Sequence, residues 1–132
     1  MSGREKPVNV GEAHVSEANV ATVRRFWDSI NNKDVEGYLG TFAEDAVAYD
    51  PADQPPLRTS EERRQFMTGL LGGFSEINAK LDFVTPCGNS TAAKWTVTGQ
   101  STSGDPVHIE GIDVYEHAPD GRLKEMRGYL QM

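Results

Sequence analysis

An α+β fold is predicted for this chain, on three observations. In the first half, apolar residues recur at the spacing of one helix face. In the second half they alternate with polar residues, as in strands with one buried face. Turn-forming clusters punctuate that second half at Pro86-Cys87-Gly88-Asn89, Ser101 to Asp105 and Pro119-Asp120-Gly121. Helices first and an antiparallel meander afterwards imply two layers around one core, and a curved sheet wrapped on helices can enclose a cavity.

The elements follow in order. Residues 1–15 are polar, with Gly3, Pro7 and Gly11 and no periodicity, and are expected to form a flexible tail ahead of a single domain over 16–132. Ser16 is positioned to cap a first helix ending near Asn32, with Val20, Val23, Phe26, Trp27 and Ile30 on its inner side. Asp34 caps a short second helix with an apolar stripe of Val35, Tyr38, Leu39 and Phe42. Ala46 to Tyr49 reads as extended, and Pro51 holds Asp50 in extended geometry. Thr59 and Glu62 form a capping box that opens a third helix, which points Phe66, Met67, Leu70, Leu71 and Phe74 inward. Gly72-Gly73 ends it. Four strands follow. The first places Ile77, Ala79, Leu81 and Phe83 on one face; the second does so with Ala93, Trp95 and Val97. The third runs from Val107 to Glu116 and the fourth from Leu123 to Leu130.

Composition narrows the function. The chain has 132 residues, enough for one domain with a core. Its net charge is -7, from 13 Lys+Arg against 20 Asp+Glu, which argues against nucleic acid and anionic membrane as partners. The pairs Arg24-Arg25 and Arg63-Arg64 are expected on solvated helix faces. No apolar run is long enough for a membrane span and no signal-peptide core is present, so a cytoplasmic protein is expected. The single cysteine, Cys87, cannot form an internal disulfide and has no placed base. His14, His108 and His117 lack metal-ligand spacing, so neither a metal nor a cofactor is expected.

Two aspartates stand out. Asp50 closes the segment Ala46-Val47-Ala48-Tyr49, and Asp113 interrupts Ile109-Glu110-Gly111-Ile112-Asp113-Val114-Tyr115. An inward carboxylate must be stabilised or neutralised, because burying an unpaired charge is costly or drives its pKa upward. Asp113 shares its face with Ile109, Gly111 and Tyr115, so its pKa is expected to rise. Asp50, beside a turn, is expected to stay more readily ionised. Two such groups on one pocket can divide into a proton acceptor and a proton donor.

The stretch Phe42 to Pro51 with Gln54-Pro55-Pro56-Leu57 resembles the ketosteroid isomerase family. Ile112-Asp113-Val114-Tyr115 followed by Asp120-Gly121-Arg122-Leu123 and Met126 resembles it too. The likeness spans about 110 residues and extends to the SnoaL-like polyketide cyclases of the nuclear transport factor 2-like superfamily. It implies a cone in which three N-terminal helices pack on a curved mixed sheet around a hydrophobic cavity. By resemblance, Asp50 is the base that moves a proton beside a carbonyl, and Asp113 is the protonated donor to the enolate oxygen. The cavity wall is then expected to include Phe26, Trp27, Phe42, Met67, Leu70, Trp95, Tyr115, Met126 and Leu130. A homodimer through the sheet is expected, since the outer face carrying His108, Glu110, Ile112 and Val114 is half apolar.

The chain departs from that pattern at Phe26, where the family has its catalytic Tyr. It departs again at Phe42 and Met67, which match supporting tyrosines, and at Leu130, which matches an aromatic residue. Losing an oxyanion donor costs about 3–4 kcal/mol. Trp95, Tyr115 and, on the opposite strand face, Tyr129 are the candidates to replace it. The expected function is cofactor-independent acid–base chemistry on a steroid-, terpenoid- or polyketide-like carbonyl compound, with double-bond isomerisation first. Polyketide cyclisation or dehydration, plain small-molecule binding without turnover, and a transport-factor-type interaction domain are the alternatives.

Overall fold

The computed structural model describes residues 10–131, with side chains from His14 onward. The elements are α1 (Val10–Asn31), α2 (Val35–Gly40), β1 (Phe42–Tyr49), α3 (Ser60–Gly72), β2 (Phe74–Cys87), β3 (Ser90–Ser101), β4 (Pro106–His117) and β5 (Leu123–Gln131). Three helices thus pack on one five-stranded mixed sheet of order β1-β5-β4-β3-β2, in which β1 runs parallel to β5 and the other neighbours are antiparallel.

The local signals act as expected at several boundaries. Asp34 accepts a hydrogen bond from the Gly37 N–H at 2.9 Å and starts α2. Thr59 and Glu62 bond each other's backbone N–H groups and start α3. Val23, Phe26, Trp27 and Ile30 bury one face of α1 against the sheet. Asn31 Oδ1 accepts the Ala79 N–H at 2.8 Å and ties the end of that helix to β2.

Other expectations are corrected. Helix α1 starts at Val10, so only residues 1–9 of the expected tail lie outside the described residues. Phe42 and Phe74 are not helical; each opens a strand, because the chain passes from helix to strand without a separate turn. A register shift between Leu81 and Phe83 turns Phe83 to solvent and Val84 inward. Leu123, which simple alternation along β5 would put on the outer side with Arg127 and Tyr129, is fully buried. An irregular register at its start, where His117 pairs with Leu123 but Glu116 with Glu125, resets the alternation. Arg63 is buried rather than solvated. Its Nη1 donates to the Ala46 carbonyl at 2.8 Å and its guanidinium lies 4.8 Å from the centre of the Phe42 ring. His117 does not open a turn: it is the buried last residue of β4, bonded to Thr91 and to the Gly121 carbonyl.

Candidate active site

Between the helices and the concave face of the sheet lies a cavity of about 430 Å³. Its wall is apolar except at two residues with ionisable side chains, Asp50 and Asp113. Asp50 follows the last residue of β1, at a cis peptide bond to Pro51. Asp113 stands mid-strand on β4, opposite Ala93 on β3 and Gly128 on β5. Alternation along β4 puts it inward, and it is 3% exposed.

The two carboxylates come together over Gly128. A Cβ built on that glycine would lie 3.0 Å from Asp50 Oδ1 and 3.1 Å from Asp113 Oδ1, so both oxygens rest against the same point of β5.

Their settings differ. Trp95 Nε1 donates to Asp113 Oδ1 at 2.9 Å, and the Tyr115 hydroxyl donates to Oδ2 at 2.7 Å. Trp27 Nε1 in turn donates to the Tyr115 oxygen at 3.0 Å. Indole N–H groups only donate, so the direction of this chain is fixed and the Tyr115 proton points at Asp113. Trp27 and Trp95 stack with centroids 5.1 Å apart, which holds both donors in place. Even so, burial first and the Asp50 charge second raise the Asp113 pKa to about 7, against the lowering effect of Tyr115 and Trp95. Asp50 receives no such donors, and burial alone raises it to about 6. Burial and mutual repulsion thus let the pair keep a proton well above the ordinary carboxylate range.

Of the nine expected wall residues, Phe26, Trp27, Met67, Leu70, Trp95 and Leu130 line the cavity. Phe42, Tyr115 and Met126 do not: all three are buried in the core, Phe42 beside Arg63, Tyr115 behind Asp113, and Met126 on β5. Trp95 and Tyr115 do not replace the missing oxyanion donor, since both spend their proton on Asp113. Tyr129 is half exposed on the outer face and is no candidate either. The expectations missed eight wall residues, among them Ile30, Phe66, Ile77, Val97, Val107 and Ile109, although helical or strand periodicity already turned most of them inward. Tyr38, expected on the apolar stripe of α2, is fully buried on Phe26 and Phe42, and its hydroxyl has no partner among the described residues. Burial and then the Asp50 charge push that hydroxyl above the usual tyrosine range.

An apolar cone closed by a mixed sheet, with its polar groups at one point inside, is the nuclear transport factor 2-like arrangement. A profile of the SnoaL-like domain matches residues 23–126, and the chain belongs to that family. Three solved structures share the fold. A putative SnoaL-like polyketide cyclase from Jannaschia sp. CCS1 has a TM-score of 0.79 at 19% identity, over 96% of this chain and 92% of that one. The epoxide hydrolase/cyclase-like enzyme SalBIII, described in pyran ring formation in the polyether salinomycin, has a TM-score of 0.78 at 19% identity, over 88% and 92%. An NTF2-like protein of unknown function from Exiguobacterium sp. 255-15 has a TM-score of 0.72 at 16% identity, over 83% and 98%. At such identities the likeness is one of fold.

Proposed function

We propose that the chain is a cofactor-independent enzyme that moves a proton next to a carbonyl in a lipophilic, steroid-, terpenoid- or polyketide-like compound. One observation carries the reading: two buried carboxylates, both held above the ordinary aspartate range, meet at one point of an otherwise apolar cavity. Ionised Asp50 takes a proton from the carbon beside the carbonyl. Neutral Asp113 donates a hydrogen bond from Oδ1 to the enolate oxygen, and Asp50 returns the proton two carbons further along, which shifts the double bond. Tyr115 and Trp95 hold Asp113 so that this hydrogen bond is aimed before substrate arrives. The test follows conjugated-enone absorbance while a β,γ-unsaturated 3-ketosteroid is incubated with wild type and with Asp50→Asn. Turnover that collapses in the variant supports the reading, and no turnover by wild type sinks isomerisation of that skeleton.

A second reading uses the same pair for ring closure, and a specific observation favours it. With Trp95 and Tyr115 committed to Asp113, the cavity offers one acid and one base but no further oxyanion donor. That set suffices to close a hydroxy-enone to a cyclic ether. Asp50 removes the hydroxyl proton, the C–O bond forms at the β carbon, and Asp113 delivers a proton to the α carbon of the enolate. Conversion of a hydroxy-enone to its cyclic ether, without activity on the ketosteroid, would select this reading.

We also propose a homodimer through the outer sheet face. Phe83, Ile112 and Tyr129 are exposed there, and they fall in one row through the pairs Phe83–Lys94, Lys94–Ile112 and Ile112–Tyr129. Sedimentation of wild type as a dimer, and of Ile112→Lys as a monomer, is the expected result.

A further inference from the structure

Glycine inside a strand loses backbone entropy and packs no side chain, so it weakens the strand unless something else needs the space. Gly128 has no positive φ, so its backbone does not demand glycine. It is buried in the middle of β5, directly opposite Asp113. What a side chain there would meet is the acid pair: Asp50 Oδ1 at 3.0 Å and Asp113 Oδ1 at 3.1 Å, with the Asp50 carboxyl carbon at 3.6 Å. Asp113 also faces Ala93 across β3, and Gly111 sits two residues before it on the same face. A Cβ at Gly111 would lie 2.4 Å from Trp95 Cζ2. Small residues thus clear the space around Asp113 in two directions, towards Trp95 and towards Asp50.

We propose that Gly128 is the positioning residue of the pair: its missing side chain is what lets both carboxylate oxygens rest at one point of β5. The two partners cannot yield equally to a methyl group at 128. Asp113 is pinned by Trp95 and Tyr115, whereas Asp50 has no donor holding it. Asp50 is the one that gives way, by a few tenths of an ångström and away from Asp113, while the cavity wall stays in place.

The proposal rests on the acid–base reading above, but its test reads protonation rather than turnover, so each can fail without the other. Aspartate is labelled with ¹³C at the carboxyl carbon, and Asp113 is titrated by NMR in wild type, Gly128→Ala, Asp50→Ala and the double variant. The other titratable groups nearby are Tyr38 on α2 and Tyr115 on β4, both held above the usual tyrosine range, Arg63 on α3, and His117, which burial holds below its ordinary value. Site-specific ¹³C signals separate Asp113 from all of them. Gly128→Ala is expected to lower the Asp113 midpoint by a few tenths of a pH unit, as weaker repulsion from Asp50 requires. In the Asp50→Ala background the same substitution is expected to do nothing. Ala is also the better strand residue, so the thermal midpoint of Gly128→Ala is expected to hold or rise. An unchanged Asp113 midpoint in Gly128→Ala overturns the proposal, as does an equal shift in the Asp50→Ala background. If Gly128→Ala alone fails to fold, folding of the double variant supports the conflict with Asp50, and failure of both variants overturns it.

Discussion

The two sides of the acid pair are built differently. On the β4 side, Asp113 sits in the middle of a strand, held at both oxygens by Trp95 and Tyr115, with Trp27 behind them. On the β1 side, Asp50 follows the end of a strand, meets a proline and accepts from no neighbour among the described residues. Yet both carboxyls are raised above the ordinary aspartate range, because burial acts on both and the charge of one opposes ionisation of the other. The difference teaches a division of labour. In the proposed mechanism the group that holds one orientation is fixed by donors on a rigid sheet, and the group that picks up and returns a proton is left unpaired at a strand end.

Removing the unpaired partner sharpens that contrast most. Asp50→Asn is expected to lower turnover by about 10³-fold, the scale of a lost general base. It also lowers the Asp113 midpoint, because a neutral Asn no longer opposes ionisation. The enone assay and a pH titration read the two effects. Asp113→Asn keeps a hydrogen-bond donor in place and is expected to cost less, about 10²-fold, with substrate binding unchanged.

Stability against pH tests whether burial governs both groups. Both folded-state values lie above the ordinary aspartate value near 4, so from there upward the folded chain binds more protons than the unfolded one. The stability contributed by the neutral carboxyls is full below about pH 4 and is lost as pH rises through 6 and 7. Urea denaturation is expected to show a fall of several kcal/mol between pH 4 and 8 in wild type. The Asp50→Asn/Asp113→Asn double variant is expected to show none of it.

The smallest effect probes the donor chain. Tyr115→Phe leaves the Trp27 N–H buried without an acceptor and removes a donor from Asp113, at a cost of about 1–3 kcal/mol in unfolding free energy. The Asp113 midpoint is expected to rise, opposite in sign to the Asp50→Asn shift. Movement of both midpoints in one direction would erase the distinction between the two sides.

Much of this site is legible in the sequence where a single period governs. Strict alternation along β4 turns Asp113 inward and Ile112 outward, and the Asp-Pro step marks the end of β1 at Asp50. Where the period breaks, the sequence misleads. The irregular registers near Phe83 and Leu123 reverse their faces, and a bulge carries no residue signature there. Arg63 reads as a surface cation because its shelter, the Phe42 ring and the Ala46 carbonyl, comes from a distant element. The direction of Trp95 and Tyr115 depends on cross-strand register, so sequence offers them as free donors when they are bound to Asp113. Gly111 and Gly128 did carry a signal, since glycine inside an alternating strand marks close approach. What approaches them is visible only once the strands are paired.

The most direct test of Asp50 as the base is hydrogen exchange at carbon. A β,γ-unsaturated 3-ketosteroid is incubated with the protein in D₂O, and loss of the α-proton signal is followed by ¹H NMR. Fast exchange with wild type, abolished in Asp50→Asn and slowed in Asp113→Asn, is the expected result. Exchange that persists unchanged in Asp50→Asn would contradict the assignment of Asp50 as the base.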